Sequence, residues 1–331
     1  SASPPKRIAG LATDVPRKDY LKNAQRTWSR IIHHHEWQAF LQRVQHVSLR
    51  DAVRFMAVSQ PFAGAWLNAV PSHRPFALHT WAMRLLVQRR LGLPLTAVAV
   101  EGAVSRHGRE FDVLGDLATN DGQAGHQTRH YMVLRELVGR LRSVWGSAVE
   151  YEPPDYKDYS DTRPDLAIHT ADGLALGDTK VFDDVGSDQS AVGVRGAHVA
   201  MGNVLPRARE VVLGRQERGA PGKAFNPATG QGHVAAVDGQ YKRALGHCSG
   251  VLVLLFSTFL GFSPDVVELL RRAAEERGNK LRGSEYDDTT WSARSWTSYT
   301  AQRISCVLAR AVAWELATAM QLTRVRDARD D

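Results

Sequence analysis

The stretch TRPDLAIHTADGLALGDTKVF, residues 162–182, decides the fold and the chemistry that this chain can support. Two runs rich in apolar residues flank the dipeptide Asp172–Gly173, which is typical of the type I′ turn of a β-hairpin. A two-residue turn at this point places Asp165 opposite Lys180. The sequence therefore predicts a hairpin that carries acidic and basic side chains at matched positions.

Three of these charged side chains are predicted to share one face of the hairpin. Directly paired residues point to the same side of a sheet, and side chains repeat every two residues along a strand. Asp178 is then a diagonal neighbour of Asp165, at roughly 7 to 8 Å between the backbones. A change of one residue in the loop would send the two acids to opposite faces. This spacing would let both carboxylates reach a common ion.

Two aspartates and a lysine on one face suit phosphodiester hydrolysis. Hard carboxylate oxygens bind Mg²⁺ or Mn²⁺, which lowers the pKa of a bound water and offsets charge on phosphorus. Lys180 would orient that water or neutralise the transition state. The alternative is a cross-strand salt bridge between Asp165 and Lys180 on a solvated hairpin. Spacing alone leaves both interpretations open.

The helix predicted over residues 126–145 supplies further candidates. Glu136 is the candidate for a third acid and metal ligand, although an ion pair with Arg140 one helical turn away is the simpler alternative. His126 and Arg129, near the start of this helix, could contact phosphate, or they could be capping or surface residues. The apolar stripe of Leu134, Leu137, Val138 and Leu141 faces a core.

The rest of the chain alternates between helical and extended patterns. The first hundred residues read mostly as helices, and the triple histidine at 33–35 is expected at the surface because consecutive helical side chains diverge. Residues 251–258 form an apolar strand, and Ser263 and Pro264 then begin a helix. A last helix is predicted over 297–323. Residues 184–235 read as a long loop with one helix, either a loose excursion or a DNA-facing arm.

The composition favours a polyanionic partner. The net charge is +7, and residues 1–50 contain nine lysines and arginines against three acids. Such a run is either a nucleic-acid-binding surface or a solvated helix face. Two cysteines argue against a disulfide framework and a thiolate zinc site, and indicate a reducing compartment. No stretch has the ~20 apolar residues of a membrane span.

The order of a helix with Glu136, a strand with PD and a strand with DTK resembles the PD-(D/E)XK, or restriction-endonuclease-like, nucleases. FAGAWLNAVPS, LLVQRRLGLPL, GHQTRHYMVLRELV, RPDLAI, YKRALG and WSARSWTSYTAQRISCVLARA are similar, in the same order, to the carboxy-terminal endonuclease region of non-LTR retrotransposon proteins. The resemblance covers roughly residues 15–325. It implies that Asp165, Asp178 and Lys180 are the catalytic triple, with Glu136 and Lys242 as further matches, Lys242 as a contact to nucleic acid. The zinc cluster of many relatives is not expected, because the segment before Arg129 has His126 but no cysteine.

Together these observations predict an α/β fold, with a restriction-endonuclease-like mixed β-sheet flanked by helices. A basic helical region, residues 1–105, precedes a nuclease-like domain at 106–331 that contains the insert at about 184–235. We expect a Mg²⁺- or Mn²⁺-dependent endonuclease of retrotransposon origin that acts on double-stranded DNA. The alternatives are an inactive nucleic-acid-binding protein with the same fold, or a nuclease acting on RNA. A nuclear location, no membrane association and a homodimer complete the expectation.

Overall fold

The computed structural model describes most of the chain between residues 17 and 319. The described residues are 17–95, 104–105, 108, 110–120, 125–154, 163–185, 200–226, 229, 231–289 and 292–319. The helices are α1 (Arg17–Val47), α2 (Leu49–Val58), α3 (Thr80–Leu91), α4 (Asp116–Asn120), α5 (Gly125–Trp145), α6 (Ala200–Leu213), α7 (Pro264–Glu276), α8 (Gly283–Thr289) and α9 (Trp296–Ala319). The strands are β1 (Val149–Tyr151), β2 (Leu166–Thr170), β3 (Gly173–Phe182), β4 (Gly214–Arg215), β5 (Val237–Asp238) and β6 (Gly250–Ser257).

The main sheet mixes antiparallel and parallel pairs, as the predicted α/β class requires. Among the described residues its strand order is β1-β2-β3-β6, in which β2 is antiparallel to both β1 and β3. β6 runs parallel to β3, so the chain between them crosses over one face of the sheet. β4 and β5 form a separate two-stranded pair. β3 is therefore an inner strand with hydrogen-bonded neighbours on both sides.

The register of the β2–β3 hairpin differs by two residues from the predicted one. The turn residues are Ala171 and Asp172, and Thr170 pairs with Gly173. Neither turn residue has the positive φ that a type I′ turn requires, and Gly173 takes a φ of +114° after the turn. The predicted pairing of Asp165 with Lys180 is therefore wrong. Because the shift is even, the faces on which the paired residues of the ladder lie are unchanged.

Helices cover both faces of the main sheet. On one face, Leu166, Ile168, Leu254 and Phe256 join a large core with side chains of α5, α7 and α9. On the other face, Ala167, Leu176, Val251, Val253 and Leu255 pack against Leu205, Val212 and Tyr241. The strand run predicted at 251–258 corresponds to β6, which is buried from both sides. Its near-continuous apolar sequence follows from this position.

The predicted insert contributes an element to the fold. The one helix expected between residues 184 and 235 is α6, and its Leu205 and Val212, two turns apart, face the sheet. α6 is therefore a covering layer of the domain and neither a loose excursion nor a projecting arm. Residues 186–199 of the insert lie outside the described residues.

Local sequence explains where several helices begin and end. Ser263 caps α7 by accepting a hydrogen bond from the Val266 backbone N–H, and Pro264 occupies the first turn, as predicted. α3 ends at Gly92, which adopts a left-handed φ of +69°. α5 spans Gly125–Trp145, close to the predicted 126–145, with its predicted apolar stripe buried. α9 begins at Trp296, one residue before the predicted start.

The division into compact units differs from the predicted boundary at residue 105. The chain separates into Ser1–Ser48 and Leu49–Asp331. Trp66, Phe76, Leu85 and Leu86 share the large core with α5 and α9, so residues well before 105 belong to the larger unit. The smaller unit contains α1, whose His33, His34 and His35 are exposed as predicted. Among the described residues, no helix combines the length and apolar character needed to cross a membrane.

Candidate active site

Asp165 and Asp178 come close together where the β2–β3 pairing ends. The last regular pair of the ladder is Leu166 with Gly177, and the Asp165 N–H also donates to the Gly177 carbonyl at 3.0 Å, so Asp165 lies beside Gly177 just outside the ladder. The Asp165 carboxylate reaches the backbone N–H of Thr179, the residue that follows Asp178. In the predicted register the two acids were diagonal neighbours; in the structure Asp165 lies next to the stretch of β3 that carries Asp178.

Asp178 is the more deeply buried of the two acids, with 6% of its surface exposed. Its Oδ2 lies 3.0 Å from Lys180 Nζ, and its Oδ1 accepts a hydrogen bond from the Tyr241 hydroxyl at 3.3 Å. Burial raises the pKa of Asp178, and the nearby Lys180 ammonium opposes that shift. The buried carboxylate is therefore held by a positive charge and a phenol.

Asp165 is fixed by a backbone group and by a histidine from α5. Its Oδ2 accepts a hydrogen bond from the Thr179 N–H at 2.5 Å. Its Oδ1 lies 3.3 Å from His130 Nε2. The hydrogen bond to Asp165 raises the pKa of His130, against the effect of burial. The hairpin and α5 thus meet at this carboxylate.

His130 and Tyr241 were not predicted as site residues. Both lie in stretches that carry the family resemblance, TRHYM for His130 and YKRALG for Tyr241. Both side chains reach the acids because of the way α5 and the segment before β6 pack on the sheet. The hydrophobic periodicity of these segments does not predict that packing. The order of motifs was the one signal pointing to them.

Lys180 belongs to the site, with a different partner from either predicted alternative. The salt bridge considered from the sequence joined Lys180 to Asp165, whereas the ammonium contacts Asp178, two residues away on the same strand. Side chains at i and i+2 of a strand share one face, which explains the contact. The Lys180 side chain is 37% exposed, so it also reaches solvent.

Glu136 lies in an ion-pair cluster with arginines of α5 and α9. Its carboxylate accepts hydrogen bonds from Arg303 at 3.0 and 3.3 Å and lies 3.2 Å from Arg140 Nε. The predicted alternative, an ion pair with Arg140, is present. Six residues along α5 separate Glu136 from His130, which places the two side chains on different faces of the helix. The geometry gives no support to Glu136 as a third metal ligand.

Arg129 is buried and paired, which contradicts its predicted role as a phosphate-binding residue. It is 2% exposed, its guanidinium donates to Glu315, and a second hydrogen bond goes to the Val181 carbonyl at 3.2 Å. A guanidinium enclosed in this way has no access to a nucleic-acid backbone. Arg129 lies on the face of α5 that packs against the core, and there it forms an ion pair with Glu315.

The other two predicted nucleic-acid contacts remain nearer to solvent. His126 Nε2 lies 2.9 Å from the Thr119 carbonyl and 3.1 Å from Glu315, with 40% of the side chain exposed. Lys242 is 65% exposed and its Nζ lies 2.8 Å from Asp238. Lys242 directly follows Tyr241, which contacts Asp178, so its backbone lies beside the site.

The comparisons with known proteins are negative. No protein-family model, no curated protein and no solved structure matches this chain. The donor set must therefore be interpreted from its own chemistry.

The two aspartates suit a hard divalent cation. Within the described part of the chain, no three histidine, cysteine, aspartate or glutamate side chains are gathered as a ready-made metal site. Mg²⁺ does not require one, because it is commonly held by one or two carboxylates together with water and substrate phosphate oxygens. Asp178, buried beside a single ammonium, is the kind of carboxylate that gains most from a nearby cation. Asp165 and Asp178 fit Mg²⁺ or Mn²⁺; a thiolate zinc site has no support here.

Proposed function

We propose that this protein is a divalent-metal-dependent endonuclease that hydrolyses DNA phosphodiester bonds. The observation that carries the proposal is that the Asp165 carboxylate accepts a hydrogen bond from the Thr179 N–H, next to Asp178, while Lys180 Nζ lies 3.0 Å from the Asp178 carboxylate. Two neighbouring carboxylates and an ammonium match the PD and DTK motifs of PD-(D/E)XK nucleases. We also propose that the fold is restriction-endonuclease-like. The support is a mixed sheet whose inner strand carries DTK and whose two faces are covered by helices.

Each residue of the triple has a distinct task in this proposal. Asp165 and Asp178 would hold Mg²⁺ or Mn²⁺, and the Thr179 N–H and the Tyr241 hydroxyl each fix one oxygen of these acids. When bound, the ion supplies an acidified water and positive charge for the phosphate. Lys180 is exposed enough to turn its Nζ from Asp178 towards that water or a phosphate oxygen. The hairpin alone thus provides the groups that phosphate hydrolysis needs.

The charge distribution supports a nucleic-acid partner. The chain carries a net charge of +7. On α1, Arg26 and Arg30 are exposed one helical turn apart, and no acidic partner is found for them among the described residues. Unpaired cations favour phosphate binding through release of counterions. With DNA as the substrate, we also propose a nuclear location and a homodimer, which would supply the two active sites that cleavage of both strands normally needs.

A nucleic-acid-binding protein without turnover is the second candidate. The contacts of Glu136 favour it, because this predicted third acid is paired with Arg303 and Arg140. RNA is the alternative substrate, since the two aspartates would engage either type of phosphate and the 2′-hydroxyl is what distinguishes RNA. Both alternatives are resolved by the same assay.

The test is metal-dependent cleavage by matched variants of the full chain. Supercoiled plasmid and a labelled single-stranded RNA are each incubated with Mg²⁺ or Mn²⁺. We expect plasmid nicking by the wild-type protein and a loss of about 10²-fold or more in Asp165→Asn and Asp178→Asn, which remove the carboxylate charge without changing the shape. Binding of DNA without metal should remain.

The control is Asp172→Asn, which makes the same chemical change in the exposed turn of the same hairpin. It should nick at the wild-type rate. Unchanged nicking by Asp178→Asn would refute the proposed site. DNA binding without cleavage in either metal would establish the binding protein, and cleavage of RNA alone would replace DNA as the substrate.

A further inference from the structure

His130 is a polar group in contact with a proposed metal ligand, and the hydrolytic mechanism does not use it. Its Nε2 lies 3.3 Å from Asp165 Oδ1, and 26% of its side chain is exposed. The ring packs edge-on against Tyr131 with centroids 5.5 Å apart. His130 therefore has a defined orientation towards one oxygen of Asp165.

The Asp165 carboxylate is held from two directions. The Thr179 N–H reaches Oδ2, and His130 Nε2 reaches Oδ1. Each carboxylate oxygen has two lone pairs, so one contact to each leaves a lone pair on each for a cation. The two contacts together restrict rotation of the carboxylate group. Removal of either one would allow it to turn away from Asp178.

The support for His130 comes from a rigid element. α5 buries Leu134, Leu137 and Leu141 in the large core, and Arg129 anchors its first turns to Glu315 on α9. The imidazole is thereby attached to a helix that cannot move without disrupting the core. A donor fixed in this way can set the orientation of a carboxylate on a neighbouring strand.

We propose that His130 is a positioning residue, which donates its Nε2–H to Asp165 Oδ1 and so orients this carboxylate to bind a divalent cation together with Asp178. This inference rests on the proposed function. Groups that hydrogen-bond to metal ligands commonly change metal affinity by about 10- to 100-fold when they are removed. The same range is expected for loss of the His130 donor.

The experiment measures Mn²⁺ binding to the full chain, as loss of the free-ion electron paramagnetic resonance signal on titration at one pH. We expect His130→Leu, which has no donor, to weaken Mn²⁺ binding by about 10- to 100-fold. His130→Gln keeps an N–H donor on a side chain of similar reach and should restore most of the affinity. Circular dichroism and thermal unfolding verify that each variant is folded.

The matched control is His169→Leu on β2. His169 is exposed on the same hairpin and pairs with Glu150, away from the acids, so its removal should leave Mn²⁺ affinity unchanged. Asp178→Asn in the same titration tests the site itself. Loss of Mn²⁺ binding in Asp178→Asn supports the site on which the inference depends.

The outcomes separate the inference from the proposed function. If the wild type binds no Mn²⁺, or Asp178→Asn binds it as tightly as the wild type, the proposed function and the inference both fail. If Asp178→Asn loses binding while folded His130→Leu binds Mn²⁺ like the wild type, the inference alone is overturned. Nitrogen coupling to bound Mn²⁺ that disappears in His130→Leu would make His130 a ligand and also overturn the positioning role.

Discussion

At the residue scale, Asp184 shows how this fold buries acidic groups without full compensation. It is 2% exposed at the end of β3 and accepts hydrogen bonds from Ser257 Oγ and Gln60 Nε2. Burial raises its pKa from 3.8 to about 7, while the Ser257 hydrogen bond and Arg89 oppose the shift and Asp183 adds to it. Ionisation of Asp184 at neutral pH therefore destabilises the folded state.

We predict that Asp184→Asn becomes more stabilising, relative to the wild type, as pH rises. A carboxyl whose folded pKa is raised contributes stability that is complete below about pH 4 and is lost as pH rises through about 7. The amide cannot ionise, and the Ser257 hydroxyl can accept its N–H. The free energy of unfolding is measured in urea at pH 5 and pH 8. The difference between the variant and the wild type should be larger at pH 8 than at pH 5, in favour of the variant, by on the order of a few kcal/mol.

Comparing the variant with the wild type separates the effect of Asp184 from that of other acids whose pKa is raised. Burial also raises the pKa of Glu315 to about 7 and that of Asp116 to about 6, so the wild type has further pH dependence of the same sign. Asp172→Asn, in the exposed turn, should track the wild type at both values. A difference for Asp184→Asn that does not change between pH 5 and pH 8 would rule out this explanation.

At the element scale, the β2–β3 hairpin depends on a glycine just before the DTK motif. A Cβ at Gly177 would lie 2.8 Å from Leu166 Cγ, and Leu166 is fully buried next to Asp165. The sheet can therefore keep this register only with a bare backbone at position 177. Because Gly177 precedes Asp178 and Leu166 follows Asp165, this packing contact also affects the distance between the two acids.

We predict strong coupling between Gly177 and Leu166. Gly177→Ala should lower the free energy of unfolding by about 1–3 kcal/mol through overpacking. Leu166→Ala should cost about 2–5 kcal/mol, but it also removes the atoms with which the new methyl group collides. The double variant should therefore cost at least about 1 kcal/mol less than the sum of the two single variants in urea unfolding.

The control is Gly139→Ala on α5, where a Cβ would meet nothing within 4 Å. This helical substitution should stabilise the protein by roughly 0.5–1 kcal/mol, with or without Leu166→Ala. Additive costs for Gly177→Ala and Leu166→Ala would show that the sheet adjusts without the predicted collision.

The hairpin also shows what the sequence could and could not predict. Alternating residues around a two-residue turn were enough to predict that Asp165 comes close to Asp178 and that Lys180 shares a face of β3 with Asp178. The register depended on whether Asp172 adopts a positive φ, and it does not. Hydrophobic patterns also predicted α5 and β6 to within one or two residues, and Ser263 followed by Pro264 predicted the start of α7.

Contacts between distant segments were beyond the reach of sequence patterns. The burial of Arg129, the pairing of Glu136 with Arg303, and the contact of His130 with Asp165 each depend on how α5 sits against the sheet and α9. The stripe on α5 identified its buried face but not the partner of each polar side chain. Long-range packing decides that partner.

At the scale of the whole molecule, most of the excess basic charge lies in residues 1–50, where α1 carries exposed Arg26 and Arg30, for which no acidic partner is found among the described residues. We predict that Arg26→Glu combined with Arg30→Glu weakens DNA binding and reduces its dependence on salt. For B-DNA, each lost phosphate contact should make the slope of log affinity against log salt shallower by about 0.9. Fluorescence anisotropy with a labelled duplex over a salt series measures it.

The matched control reverses two arginines that are already neutralised. Arg271 and Arg272 on α7 pair with Glu268, and Arg271 also pairs with Glu275, all at the surface. Arg271→Glu combined with Arg272→Glu changes the net charge by the same amount. Equal effects of the two double variants would show that net charge, not the α1 surface, governs binding.

The parallel pairing of β3 with β6 also has a consequence for the order in which the site assembles during folding. The β2–β3 hairpin closes through a two-residue turn, whereas β6 joins β3 only after a crossover through residues 183–249. The entropy cost of closing such a loop grows by about 0.6 kcal/mol for each doubling of its length. Asp165 and Asp178 therefore meet through a local event, while Tyr241, carried on the crossover, joins them only when the distant strand docks. The two aspartates therefore come together before Tyr241 and β6 bury them.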